Sequence, residues 1–282
     1  MRCRARAFWL AALWSVAMLR PASAKSTTVP MTLANNHVYV DVMLDRTGPY
    51  HFILDSGSPF GLLDTDVAHR LGLVVRPHGT IGGVGNATPL AGATVVHALS
   101  IGGRAIADRK FVVTPLRVAI GAAEGRSVDG IIGRNFLESV VTTIDYEHAT
   151  VTLDADFAAA MHDGASALPL RFYGGLPQIA CRVAEVEGRC TVDTGSRLGA
   201  SVLGPFVAKH PSLTPADATA IGVDGFGFGG AAYGRLARLS TLAFGNFVLR
   251  DTIAITARRK RAHSRTGRPP QTSAVPCGDA LR

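Results

Sequence analysis

The apolar positions along the chain predict short β-strands rather than long helices. Between residues 29 and 153, apolar and polar residues alternate in short segments rich in valine, isoleucine and threonine, and glycine, asparagine and aspartate separate these segments. One helical interval stands out at residues 64–71, where Asp64 or Thr65 could cap the start and Gly72 could end the helix. Many short strands with one small helix indicate a closed, mainly β structure.

The order of these elements repeats in the second half of the chain. Residues 168–211 follow the order of residues 29–76, namely a strand, a hairpin, a strand that ends in aspartate and a short helical run. A glycine-rich hairpin at residues 223–236 takes the place of the one at residues 80–92. A repeat of about 130 residues is too long for a solenoid unit, so it predicts two similar lobes. The predicted lobes are residues 25–163 and residues 164–257.

The N-terminus has the order of a secretory signal peptide. Several arginines precede an apolar run at residues 8–19, and Pro21-Ala22-Ser23-Ala24 follows it. The apolar run is about 12 residues long, whereas a membrane span needs about 20. We therefore expect residues 1–24 to be removed and the mature protein to be exported, to the periplasm or outside the cell, without a membrane anchor.

The positive charge of the chain sits at its two ends. The net charge is +8 over 282 residues, but residues 1–24 hold four arginines and residues 258–282 hold seven lysines and arginines. The body between them is slightly acidic, so no nucleic-acid surface is expected on the folded lobes. The segment 258–282 is rich in arginine, proline and serine, and we expect a disordered basic tail there.

Two short triplets at matching places of the repeat contain the candidate catalytic residues. Asp55-Ser56-Gly57 and Asp193-Thr194-Gly195 each follow apolar residues. Glycine allows a sharp turn and a close approach of two backbones, so two related turns would bring both carboxylates together. Like charges this close cannot both ionise easily, and the pair would share one proton. One carboxylate could then activate a water molecule while the other donates a proton.

These motifs resemble those of the retropepsin-like and pepsin-like aspartic peptidases. The resemblance covers residues 29–257 and rests on the two triplets, a glycine-rich segment some 25 to 30 residues after the first, and Ile131-Ile132-Gly133 near the end of the first lobe. It is closest to bacterial, exported, two-lobed members. It implies two closed-barrel lobes, an endopeptidase acting on a peptide or protein substrate, and no metal or organic cofactor. The residues with implied roles are Asp55 and Asp193 as catalytic pair, Ser56, Gly57, Thr194 and Gly195 as their support, and Gly82, Gly83, Val84 and Gly85 as a flap.

The second lobe departs from this pattern. Ile131 follows Asp55 by about 76 residues, and the same offset from Asp193 falls inside the basic tail, which has no apolar-apolar-glycine segment. We therefore expect the second lobe to lack its last strands and the loop that carries Asp193 to lose support. This leaves two alternatives to a peptidase: a catalytically impaired protein that binds a peptide or glycan, and a structural β-protein in which both triplets are turns.

Cysteine placement leaves two possibilities open. Cys181 and Cys190 flank a predicted turn, and an oxidising compartment would permit a disulfide between them. Two buried free thiols are equally compatible, because strand register decides whether the sulfurs meet. Neither the cysteines nor the histidines have the spacing of metal ligands.

Overall fold

A computed structural model describes residues 26–257, except residues 156, 158–164, 215–217 and 219. The expected signal peptide, the expected lobe boundary near residue 163 and the expected basic tail lie outside the described residues. Within the described part, no helix is both long enough and apolar enough to cross a membrane.

The first lobe is built almost entirely of strands. Its strands are β1 (Thr27–Pro30), β2 (Thr32–Ala34), β3 (His37–Leu44), β4 (Thr47–Leu54), β5 (Gly61–Asp64), β6 (Arg76–Thr80), β7 (Leu90–Ile101), β8 (Arg104–Thr114), β9 (Gly130–Ile132), β10 (Val141–Asp145) and β11 (Thr150–Asp154). Its helices are α1 (Thr65–Arg70), a π-helical turn (Arg117–Gly121) that continues into α2 (Ala122–Glu124), and α3 (Arg134–Leu137).

Six strands of this lobe close into a barrel. They follow the order β3-β4-β9-β5-β8-β7, and β7 pairs again with β3 through Met43 opposite Ser100 and Leu44 opposite Leu99. Alternate side chains point inward, and those of Leu44 and Phe52 are fully buried in the barrel core. The closed β structure expected from the sequence is confirmed for this lobe.

Helix α1 follows the capping pattern in the sequence. The carboxylate of Asp64 accepts a hydrogen bond from the backbone N–H of Asp66 at 3.0 Å, which satisfies one of the free donors at the helix start. Gly72 lies just beyond the helix with a φ of +64°, a left-handed conformation that glycine adopts without strain. The helix is one residue shorter at each end than residues 64–71.

The second lobe repeats most of these elements. Its strands are β12 (Arg171–Tyr173), β13 (Leu176–Val183), β14 (Val186–Thr191), β15 (Ser201–Val202), β16 (Ile221–Gly227), β17 (Gly230–Phe244) and β18 (Phe247–Ala257). It also contains α4 (Gly204–Lys209) and a 3₁₀ turn (Pro211–Leu213). The sheet runs β12-β13-β17-β18-β15, with β14 paired to β13 and β16 paired to β17.

The second lobe forms an open sheet. In the first lobe, β9 lies between β4 and β5 and pairs with both. The corresponding strands of the second lobe are β14 and β15, and the described residues contain no strand between them. The described residues therefore agree with the incomplete second lobe expected from the sequence, because the counterpart of β9 is the missing element among them.

Cys181 and Cys190 form a disulfide, which decides between the two possibilities left open by the sequence. They lie on the neighbouring strands β13 and β14, with 5.8 Å between their Cα atoms. Both are buried in the apolar core of the second lobe. The bridge therefore ties together the hairpin that leads into Asp193.

Reduction of this bridge should destabilise the protein. A disulfide that closes such a short loop contributes about 2–3 kcal/mol, chiefly by restricting the unfolded chain. We expect dithiothreitol to lower the free energy of unfolding of the wild type by about that amount, measured by urea titration. The double variant Cys181→Ala/Cys190→Ala should not respond to the reductant. An equal response of both proteins would contradict the assignment.

Candidate active site

The two aspartate triplets lie together at the floor of a cleft between the lobes. Asp55 directly follows β4, and Asp193 comes two residues after β14. The cleft has a volume of about 460 Å³ and is lined by residues of both lobes, including both aspartates. The structure thus brings together the two carboxyl groups that the repeat placed 138 residues apart.

Ser56 and Thr194 brace the two loops against each other by a symmetrical set of hydrogen bonds. The backbone N–H of Ser56 donates to Oγ1 of Thr194 at 3.0 Å, and that of Thr194 donates to Oγ of Ser56 at 3.1 Å. Each hydroxyl then donates across the interface, Ser56 to the carbonyl of Val192 at 2.7 Å and Thr194 to that of Leu54 at 2.8 Å. These four bonds fix the relative position of the two carboxyl groups.

Gly57 and Gly195 leave room for the opposite carboxyl group. A Cβ atom added to Gly57 would lie 2.3 Å from Oδ1 of Asp193, and one added to Gly195 would lie 2.3 Å from Cγ of Asp55. Both distances are far shorter than any real contact. Glycine is therefore required at both positions by the approach of the two loops.

The two loops have different backbone support. The N–H of Asp55 donates to the carbonyl of Ile132 at 3.0 Å, so β9 holds the first loop from below, as expected for Ile131-Ile132-Gly133. The second lobe has no such strand among its described residues. Its loop is instead held by the bonds to Ser56 and by His37 of the first lobe, whose Nε2 lies 2.8 Å from the carbonyl oxygen of Gly195.

Two glycine-rich hairpins cover the cleft, one from each lobe. Gly82, Gly83 and Val84, between β6 and β7, line the cleft, as the predicted flap should. The tip of this flap meets the tip of the hairpin β16–β17. The contacts are an N–H of Gly229 to the carbonyl of Val84 at 2.9 Å, an N–H of Asn86 to the carbonyl of Gly229 at 2.8 Å, and a bridge between Gly85 and Gly229.

The first lobe matches a known family. Residues 40–136 match the sequence model described as aspartyl protease. The matched segment contains Asp55 and the glycine-rich segment at residues 82–85. The chain is also similar to a solved structure of a retropepsin-like aspartic protease from Rickettsia conorii, with 16% identity and a TM-score of 0.35 over 46% of this chain and 92% of that chain. No curated protein matches the chain.

The surroundings of Asp55 and Asp193 raise the pKa of both carboxyl groups. Burial raises the pKa of Asp55 well above its usual range, and the charge of Asp193 beside it raises it further. Burial also raises the pKa of Asp193, although hydrogen bonds from Asp55 and Gly195 and the charge of His37 oppose this. Oδ1 of Asp55 is buried without a hydrogen-bond partner among the described residues, and a proton shared with Asp193 would supply one.

Several residues that line the cleft were not predicted from the sequence. Asp224 and Ser201 line the second-lobe side, where the Ser201 hydroxyl donates to Oδ1 of Asp224 at 2.6 Å. The other missed residues are His37, Glu124 and Arg197. Nothing local in the sequence marks His37 and Glu124, which are 87 positions apart and meet only in the folded lobe.

Phe226 and Phe228 of the second glycine-rich hairpin line the cleft. Phe226 is partly exposed at the cleft, and Phe228 lines it while packing against an apolar cluster of the first lobe. Phe226 thus covers the groove, whereas Phe228 both covers the groove and belongs to the apolar core.

The variant Asp55→Asn should raise the melting temperature at neutral pH. A carboxyl whose pKa is raised by folding stabilises the native state only at low pH, and that contribution is lost as the pH rises. The isosteric neutral amide does not ionise, so the variant avoids this loss of stability at high pH. Its melting temperature should therefore lie several degrees above that of the wild type at pH 7 and close to it at pH 3.

Asp129→Asn is the matched control for that measurement. Arg117, Ser127 and the backbone of His51 donate to the Asp129 carboxylate, and although burial alone would raise its pKa, these bonds lower it. Its stabilising contribution is present at neutral pH and lost on acidification. The variant should therefore melt at a lower temperature at pH 7. A lower melting temperature for both variants at pH 7 would contradict the shared-proton arrangement.

Proposed function

We propose that the protein is an aspartic endopeptidase, in which the carboxyl groups of Asp55 and Asp193 together hydrolyse the peptide bonds of a substrate. The observation that carries this proposal is the contact of two buried carboxyl groups, braced by Ser56 and Thr194, at the floor of a cleft covered by two flaps. The match of residues 40–136 to the aspartyl protease family supports it.

The geometry supports hydrolysis by an activated water molecule. A water between the carboxyl groups would lose a proton to the ionised one while the protonated one donates to the carbonyl oxygen of the scissile bond. The water oxygen would bond to the carbonyl carbon and give a neutral tetrahedral diol. The carboxyl group that took the water proton would then pass it to the amide nitrogen while the other takes a proton from a diol hydroxyl, and the C–N bond would break to release an amine and a carboxylic acid. No metal or organic cofactor is needed for these transfers.

The cleft suits an extended peptide with apolar side chains. Flap hairpins above and aspartate loops below leave a channel in which a strand-like substrate can bond to backbone on both sides. Many side chains along this channel are apolar, among them Ile53, Ile81, Ile120, Ile131, Phe226 and Phe228. We therefore expect cleavage next to apolar residues of a peptide or unfolded protein.

We also propose that the mature protein begins near Lys25 and works outside the cytoplasm. The arginine-containing start, apolar run and small residues of segment 1–24 support export. The Cys181–Cys190 disulfide is compatible with an oxidising compartment.

A second candidate function is binding of a peptide without cleavage. The open edge between β14 and β15 favours it, because catalysis requires accurate placement of both carboxyl groups. The crossed hydrogen bonds of Ser56 and Thr194 favour the peptidase.

Substitution of either aspartate should abolish cleavage. We expect Asp55→Asn and Asp193→Asn each to lower kcat/KM on the order of 1,000-fold, measured with a mixed peptide library between pH 3 and 7. A transition-state mimic of aspartic peptidases should inhibit the wild type, and Asp108→Asn, an exposed surface carboxylate, should cleave normally. Peptide binding without cleavage by a folded wild type would favour the second candidate function.

A side chain at the flap junction should impair turnover. A Cβ atom at Gly229 would lie 2.5 Å from the backbone nitrogen of Asn86 and 2.5 Å from the carbonyl carbon of Gly85, so Gly229→Ala should prevent the flaps from meeting. We expect kcat/KM to fall on the order of 10-fold to 100-fold through misplaced substrate. Gly199→Ala, whose new Cβ has room at 3.8 Å from its nearest neighbour, is the control. Equal activity of the two variants would show that flap contact is not required.

A further inference from the structure

His37 lies between two hydrogen-bond acceptors from different lobes. Its Nδ1 is 3.0 Å from Oε2 of Glu124 in the first lobe, and its Nε2 is 2.8 Å from the carbonyl oxygen of Gly195 in the second. The side chains of His37 and Glu124 are 10% and 3% exposed. Because a carbonyl oxygen can only accept, Nε2 must carry a proton.

Glu124 is ionised in this arrangement. Its Oε2 also receives hydrogen bonds from the Tyr39 hydroxyl at 3.0 Å and from Nδ2 of Asn35 at 3.3 Å. Burial alone would raise the pKa of Glu124, but the bonds from His37, Tyr39 and Asn35 lower it. A carboxylate at Nδ1 requires a proton there as well, so His37 is an imidazolium that donates from both nitrogens.

Other charged and titratable groups surround the His37–Glu124 pair, but they do not take the place of His37 beside the carbonyl oxygen of Gly195. Arg126 stacks on the Tyr39 ring at 4.2 Å, and Arg197 lies toward the Phe226 ring at 6.0 Å. The titratable and charged groups that face the His37–Glu124 pair are Tyr39, Arg126, Arg197, Asp193 and Asp55. His37 itself, and none of these five groups, donates to the carbonyl oxygen of Gly195 among the described residues.

At the position of the second lobe that corresponds to His37, the described residues have a leucine. Ala34 pairs with His37 in the hairpin β2–β3, and Tyr173 pairs with Leu176 in the related hairpin β12–β13. Leu176 therefore occupies the place of His37 and offers neither a donor nor a charge to the first aspartate loop. In the part of the chain that the structure describes, the charge of His37 thus acts on the Asp193 side of the pair.

The same hairpin makes a second contact to the loop that follows Asp193. Nδ2 of Asn36 donates to the carbonyl of Arg197 at 2.8 Å. Together, Asn36 and His37 hold the two ends of the turn from Gly195 to Arg197. These two residues of the first lobe thus give the Asp193 loop part of the backbone support that β9 gives to the Asp55 loop.

We propose that His37, charged and oriented by Glu124, is a positioning residue that anchors the second aspartate loop and keeps Asp193 ionised, so that the shared proton resides on Asp55. This inference rests on the proposed function, because it assigns the roles of the two carboxyl groups. Asp193 would then be the general base toward water, and Asp55 the acid toward the substrate carbonyl.

Two variants separate the anchoring role from the charge. His37→Leu, which copies the residue at the related position of the second lobe, removes both the donor and the charge. In Glu124→Gln, a neutral His37 can accept from the new amide at Nδ1 and still donate from Nε2 to Gly195, so only the charge is lost. His97→Leu is the matched control, since His97 forms a similar pair with Asp108 on the surface.

Hydrogen exchange measures the anchor without requiring activity. We expect His37→Leu to speed exchange in peptides covering residues 193–197 about tenfold, the effect of one lost hydrogen bond. Glu124→Gln and His97→Leu should exchange like the wild type. If His37→Leu does not fold, His37→Gln, which keeps a donor but no charge, should behave like Glu124→Gln. Unchanged exchange in a folded His37→Leu, or faster exchange in His37→Gln than in Glu124→Gln, would overturn the anchoring role.

Carbon NMR of labelled aspartate carboxyl groups measures the charge effect. A nearby cation lowers a carboxyl pKa, so its loss in Glu124→Gln should move the first ionisation of the Asp55–Asp193 pair to higher pH, and the acid limb of kcat/KM with it. His97→Leu should leave both in place. An unmoved titration in Glu124→Gln would overturn the role assignment. A wild type that titrates as described but cleaves nothing would refute the proposed function alone.

Discussion

The contact between the carboxyl groups of Asp55 and Asp193 is the constraint on which the rest of the structure depends. Two buried carboxylates repel each other, so the contact persists only with a shared proton and with loops that cannot move apart. Ser56 and Thr194 supply the rigidity through four crossed hydrogen bonds. Glycines at positions 57 and 195 supply the space, because any side chain there would overlap the opposite carboxyl group.

The two lobes meet this constraint in unequal ways. The first lobe closes its barrel with β9, and that strand holds the loop of Asp55. The described second lobe is an open sheet, tied by a disulfide at the hairpin that leads into Asp193. Its loop depends on the first lobe for support, which makes the interface between lobes part of the site itself. Asymmetry of support also gives a physical reason for two related carboxyl groups to take different roles.

Much of the fold and the centre of the site followed from local sequence. Strand alternation, the cap at Asp64 and the repeated aspartate triplets are short-range signals that tertiary structure preserved. The second flap was visible as a glycine-rich hairpin, but its contact with Gly85 depends on how the lobes approach each other. The described residues contain no strand between β14 and β15, and this was predicted because the sequence lacks a second apolar-apolar-glycine segment at the matching distance.

Contacts that depend on tertiary structure or on strand register could not be predicted from the sequence. His37 and Glu124 look like ordinary polar residues until the barrel closes and buries them together. The Cys181–Cys190 bond needed the register of β13 and β14, which places Cys181 opposite Gly188 and Cys190 opposite Ile179. The position of Asp224 in the cleft likewise depends on the path of β16 over the second lobe.

The most direct test of this account is a crystal structure of the protein with a peptide that carries a non-cleavable hydroxyl group in place of the scissile carbonyl. We predict that the hydroxyl lies within hydrogen-bond distance of both Asp55 and Asp193, with the peptide extended beneath the two flaps. A peptide that binds elsewhere, or a hydroxyl that contacts neither carboxyl group, would contradict the central claim that this pair is a single catalytic unit.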